Sequence, residues 1–85
     1  MPTTEEFKMV IRLCMLIAQR SNLKFIEINS GSLHRAVGGY PGPDNRMPIC
    51  CNAMRNMMQD GDEILETPPQ GQGANLTIRY KLPRV

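Results

Sequence analysis

The sequence predicts an α+β domain of three helices followed by a two-stranded β-hairpin, and three observations carry that prediction. Apolar residues recur at three- and four-residue spacing over residues 4–20 and again over 47–59, the period of a helix with one buried face. Gly and Pro crowd into residues 38–43 and 68–73, which breaks the chain into shaped connections rather than continuous elements. Near the end, Leu76, Ile78, Tyr80 and Leu82 alternate with Thr77, Arg79 and Lys81, the period of two of a strand with one buried face. At 85 residues there is room for one core, so residues 1–85 are expected to form a single domain.

Helix one is expected from the threonines at 3 and 4 to about Arg20 or Ser21. A Thr hydroxyl can cap free backbone N–H groups, and Glu5 and Glu6 suit the positive helix end. Phe7, Val10, Ile11, Cys14, Ile17 and Ala18 form its expected inward face. Residues 24–28, KFIEI, are rich in β-branched and aromatic side chains and read as a short strand or extended link. Asn29 to Ser32 then form a turn able to cap helix two, Leu33 to about Val37, with Leu33, Ala36 and Val37 inward.

Gly38 and Gly39 stop that helix, and residues 38–43 form a loop whose path Tyr40 is expected to hold. Asp44, Asn45 or Met47 supplies the cap of helix three, with Pro48 in its first turn, where a missing N–H costs nothing. Over Met47 to Gln59, Ile49, Cys50, Ala53, Met54, Met57 and Met58 form the inward stripe. Arg46, Cys51, Asn52, Arg55, Asn56 and Gln59 are left outside, a face with Arg and amide groups and no acid. Residues 63–67 and 75–82 are the hairpin strands, and PPQGQG between them suits a protruding loop.

Composition narrows the function classes. Hydrophobic residues are 41% and charged residues 21%, so the chain can build a core and wholesale disorder is not expected. With no Trp and only 5% aromatic residues, that core must use aliphatic side chains and some of the seven Met. The three cysteines, an odd number without disulfide-framework spacing, fit a reducing cytoplasm. The longest apolar run, residues 13–18, is far below the roughly 20 residues of a membrane span. Net charge is only +2, but everything after Glu66 lacks acids and carries Arg79, Lys81 and Arg84, which predicts a local positive patch.

The order of pieces, SLHRAV, GGYPGPDNR, MPICCNAMRNMMQDGDEIL and NLTIRYKL around PPQGQG, resembles that of winged helix-turn-helix domains. The resemblance is architectural and spans nearly the whole chain, although GGYPGPDNR is longer than the usual turn between the two helices. It implies that helix three enters the major groove of duplex DNA while the hairpin wing lies on the phosphate backbone. Arg46, Asn52, Arg55 and Asn56 offer the donors and acceptors that match base edges. Arg79 and Lys81 would neutralise phosphate, Gln70 and Gln72 would sit at the wing tip, and Arg35 on helix two would add a backbone contact. The expected role is a small transcription or replication regulator, or the recognition module of a bacterial or phage restriction or defence system. Palindromic sites would require a homodimer or a partner protein, with helix one or the C-terminus as its expected interface.

Other chemistries fit less well. Adjacent Cys50 and Cys51 point about 100° apart on a helix and no Cys or His pair has zinc-ligand spacing, so no metal and no cofactor is expected. Cys50 reads as a core residue, Cys51 as half exposed, and His34 as a surface or capping residue. A thiol with His34 lacks an orienting third group, so no enzyme activity and no small-molecule substrate is expected. GGYPG lacks the Lys and Ser/Thr of a phosphate-binding loop. The competing reading is a protein-interaction module on the same fold, whose Met stripe together with an exposed Cys51 and Tyr40 would form an adaptable apolar surface.

Overall fold

A computed structural model describes residues 2–38, 42 and 45–84. Their elements run α1 (Thr4–Arg20), β1 (Phe25–Asn29), α2 (Ser30–Val37), α3 (Met47–Asn56), β2 (Glu63–Glu66) and β3 (Thr77–Lys81). This is a small α+β domain of three helices and one three-stranded antiparallel sheet in the order β1-β3-β2. The expected path of Tyr40 and the expected cap from Asp44 lie outside the described residues.

A capping box opens α1: the Glu6 N–H donates to the Thr3 hydroxyl at 3.2 Å, and the Thr3 N–H donates to the Glu6 carboxylate at 3.0 Å. The inward line of this helix is Phe7, Ile11, Met15 and Ala18. Val10 and Cys14 flank it half-buried, while Ile17, expected inside, is 58% exposed. The stripe is rotated toward Met15 because residues 7, 11, 15 and 18 follow one helical ridge, and residue 17 falls about 100° away from 18.

Residues 25–29 are a full edge strand rather than a link, paired with β3 from Phe25 opposite Lys81 to Asn29 opposite Thr77. Ile26 and Ile28 thereby face the core beside Tyr80 and Ile78. The alternation read from the last strand holds, since Leu76, Ile78, Tyr80 and Leu82 are all buried. On the other side β2 pairs with β3 with an irregularity between Ile64 and Glu66, and both Ile64 and Leu65 stay exposed.

Helix α2 begins at Ser30, three residues before the expected Leu33, with the Asn29 side chain accepting from the Ser32 N–H at 3.1 Å. Its first N–H groups leave the helix for the chain before β3: Ser30 N–H donates to the Leu76 carbonyl at 2.8 Å and Gly31 N–H to the Ala74 carbonyl at 3.1 Å. Gly31 is required for that approach, because a Cβ there would stand 3.0 Å from the Ala74 carbonyl oxygen. As a result Ser30, Gly31, Leu33 and His34 face inward, whereas Ala36, expected inside, is exposed.

Pro48 lies in the first turn of α3, and the Asn45 side chain accepts the Met47 N–H at 2.9 Å. The helix ends at Asn56 rather than Gln59, because the Gln59 N–H donates to the Asp62 carboxylate at 2.8 Å and starts the turn into β2. At its C-terminal end the buried Tyr80 hydroxyl donates to the Met54 carbonyl at 2.7 Å, tying α3 to the central strand.

Candidate nucleic-acid interface

The connection from β2 to β3 does not protrude. It folds back onto α2 and α3, with Pro68 buried and Gly71, Gly73 and Ala74 half-buried. The Gly71 N–H donates to the Pro68 carbonyl at 2.9 Å, closing a turn that Gly71 enters at φ +79°. Two side chains converge on the Gly73 carbonyl, the Ser30 hydroxyl and the Cys51 thiol, the latter at 3.4 Å. A third, the Arg55 guanidinium, donates to the Gly71 carbonyl.

This folded loop explains one difference from the sequence reading of the cysteines. Cys51, expected half exposed, is fully buried because the loop covers that side of α3. Cys50 is buried as expected, with its thiol donating to the Ser30 carbonyl at 3.6 Å. Burial, and then the neighbouring Cys51, push the Cys50 thiol up to about 12, which keeps it in the unreactive protonated form.

His34 is likewise a correction, for it is fully buried rather than on the surface. Its Nε2 accepts the Arg46 N–H at 2.8 Å, and its ring meets Phe7 edge-on at 5.0 Å. The side chain thus joins α1, α2 and the entry to α3. Arg46, expected outside, is half-buried at that entry.

On the outer face of α3, Pro48, Asn52 and Asn56 are exposed and Arg55 is half-buried. Asn52 and Asn56 are four residues apart, so they stand on one side of the helix about 6 Å from one another. The hydrogen bond from Arg55 makes the loop continuous with this face, where Gln70 and Gln72 are also exposed. Neither α3 nor residues 67–76 contains an acid, so the combined surface carries amides, a guanidinium and backbone groups. Arg35 stands exposed in the last turn of α2.

The positive patch expected after Glu66 is largely neutralised. Arg79 lies along the outer face of the sheet, bonded to Glu27 on β1 at 2.9 Å and stacked 4.5 Å over the Phe25 ring. Glu63 of β2 is opposite it on the other side. Arg84 forms an inward pair with Asp62 at 2.8 Å, donates to the Met57 carbonyl at 2.6 Å and lies 5.4 Å from the Tyr80 ring centre. Local sequence could not reveal these acids, since Glu27 is 52 residues from Arg79 and Asp62 is 22 from Arg84. Lys81 remains exposed, its backbone N–H held by Asp62 at 2.7 Å.

Burial alone would raise the Asp62 carboxyl. The hydrogen bonds from Arg84, the Lys81 N–H and the Gln59 N–H, together with the Arg84 charge, outweigh it and hold the group below its ordinary value. Asp62 is therefore the ionised centre that joins the end of α3, the start of β2 and the C-terminal segment.

Among the described residues no group of three or more His, Cys, Asp or Glu side chains could hold a metal ion, and no helix is long and apolar enough to cross a membrane. Comparison with models of known families, with characterised proteins and with solved structures finds no match for this chain.

Proposed function

We propose that this chain is a winged-helix domain that binds duplex DNA, with α3 in the major groove and the folded β2–β3 connection against the adjoining backbone. The observation that carries the reading is the acid-free surface made when Arg55 ties the Gly71 carbonyl to α3, leaving Asn52 and Asn56 exposed beside Gln70 and Gln72. An α-helix fits the ~12 Å major groove, and Asn and Gln side chains pair with adenine through two hydrogen bonds. Arg55, which the sequence offers for base contacts, also holds the loop through the Gly71 carbonyl and would meet DNA at the edge of this surface. Arg46 before α3 and Arg35 in α2 extend the cationic side of the surface, and Lys81 adds a phosphate contact. Arg79, paired with Glu27, contributes less to phosphate binding than Lys81. In this role the domain serves as a small cytoplasmic regulator or the recognition module of a larger DNA-processing system.

The test is the double variant Asn52→Asp with Asn56→Asp. Both positions are exposed, so the melting temperature should hold while duplex affinity falls at least about 10-fold from like-charge repulsion and lost base contacts. Unchanged affinity in the folded variant contradicts the reading. A protein-only interaction module is the second reading, favoured by the exposed Ile64 and Leu65 on β2, and it predicts no duplex binding by either protein.

A further inference from the structure

Helix α1 is apolar on two opposite sides. Its inner line, Phe7, Ile11, Met15 and Ala18, fills the core. On the far side Met9 is 64% exposed, Leu13 54%, Leu16 45% and Ile17 58%. At 100° per residue these four fall within about 100° of one another and roughly opposite the core line, a second stripe of the width used in helix packing. Glu6 and Arg20 lie on the same stripe, one at each end, seven residues on either side of Leu13.

We infer that α1 is the homodimer interface, packing antiparallel against α1 of a second copy about a two-fold axis at Leu13. The charges select both the occupant and the direction. Antiparallel pairing about Leu13 sets Met9 opposite the partner's Ile17 and Glu6 opposite the partner's Arg20, whereas parallel pairing would stack Glu6 on Glu6 and Arg20 on Arg20. A stripe that is acidic at one end, basic at the other and apolar between is complementary to itself. One Glu6 carboxylate oxygen accepts from Thr3 within the cap, and the other is left for the partner's guanidinium.

The size of the stripe sets the strength. Covering these four side chains removes on the order of 400 Å² from each copy, about half of the ~800 Å² per partner of a standard stable interface. The dimer is accordingly a reversible one of moderate affinity, populated at tens of micromolar rather than nanomolar concentration.

Sedimentation equilibrium over about 1 to 300 µM reads the association directly. The expected result is a mass rising from 9.6 kDa toward twice that value. Leu13→Lys should weaken self-association at least about 10-fold with an unchanged far-UV spectrum, because the side chain it replaces is half exposed in one copy. Arg20→Glu should weaken it too, since it faces the partner's Glu6. On a Cys14→Ala background with oxidised glutathione, Leu13→Cys should form a disulfide dimer and Met9→Cys should not. A monomer at every concentration, a dimer indifferent to Leu13→Lys, or cross-linking by Met9→Cys with none by Leu13→Cys overturns the inference. No DNA enters these measurements, so their outcome is independent of the proposed function.

Discussion

Tyr80 shows how a single polar atom can fix the relation between a helix and a sheet. Its ring is buried in the core and its hydroxyl reaches the Met54 carbonyl at 2.7 Å, so Tyr80→Phe leaves that carbonyl in a dry site with only the longer bond from the Met57 N–H, at 3.3 Å. The expected loss is about 1–2 kcal/mol of unfolding free energy in a urea titration, with little change in the denaturant slope. The cysteines give a second residue-level check. Cys50 and Cys51 are buried and Cys14 is half-buried, so a thiol reagent should modify at most Cys14 rapidly in the native protein and all three cysteines after denaturation. Rapid modification of two or three native thiols would mean that the β2–β3 connection does not cover α3. Period-two alternation made Tyr80 legible as a buried residue because a strand repeats its environment every second residue. Cys51 was not legible. It shares a ridge of α3 with Met47 and Met54 at the margin of the stripe read from the sequence, and a loop some 20 residues later completes the cover.

At the scale of elements, α1, the two last strands and the start of α3 could be read because capping boxes, alternation and an early proline act locally. The beginning of α2 could not, because Ser30 and Gly31 are weak helix formers held by carbonyls of Leu76 and Ala74. The same loop contacts predict that Arg55→Ala frees residues 71–73. Their amides should exchange with deuterium at least several-fold faster while those of α1 do not change. Asp62 and Arg84 supply the matching prediction at the other end of α3. Because the folded Asp62 carboxyl is held below its ordinary value of 3.8, its stabilising contribution is complete above that pH and is lost as pH falls through the lower folded value. Asp62→Asn should destabilise the protein by about 2–4 kcal/mol at neutral pH, leaving the inward Arg84 without its counter-ion. It should also flatten the fall in stability below about pH 4. Equal acid sensitivity in the two proteins would show that other carboxylates govern acid unfolding.

For the whole molecule, element order was legible and surface chemistry only partly so. The sequence displays the acid-free outer side of α3, because neighbouring helical positions report on one another. It conceals the neutralisation of Arg79 and Arg84, which depends on a sheet that brings residue 27 to residue 79 and a turn that brings 62 to 84. On the proposed DNA-binding function, electrostatic attraction would come from few charges, and a net charge of +2 would permit only a modest salt dependence. The most direct measurement is a titration of the native protein with duplex DNA at about 50 and about 200 mM salt. A DNA-binding domain of this charge should bind with an affinity that falls by roughly 10- to 100-fold between the two, the response to releasing about 2–4 counterions. Absence of binding at the lower salt, or an affinity that does not change between them, would contradict the assignment of α3 and its folded loop as a DNA-binding surface.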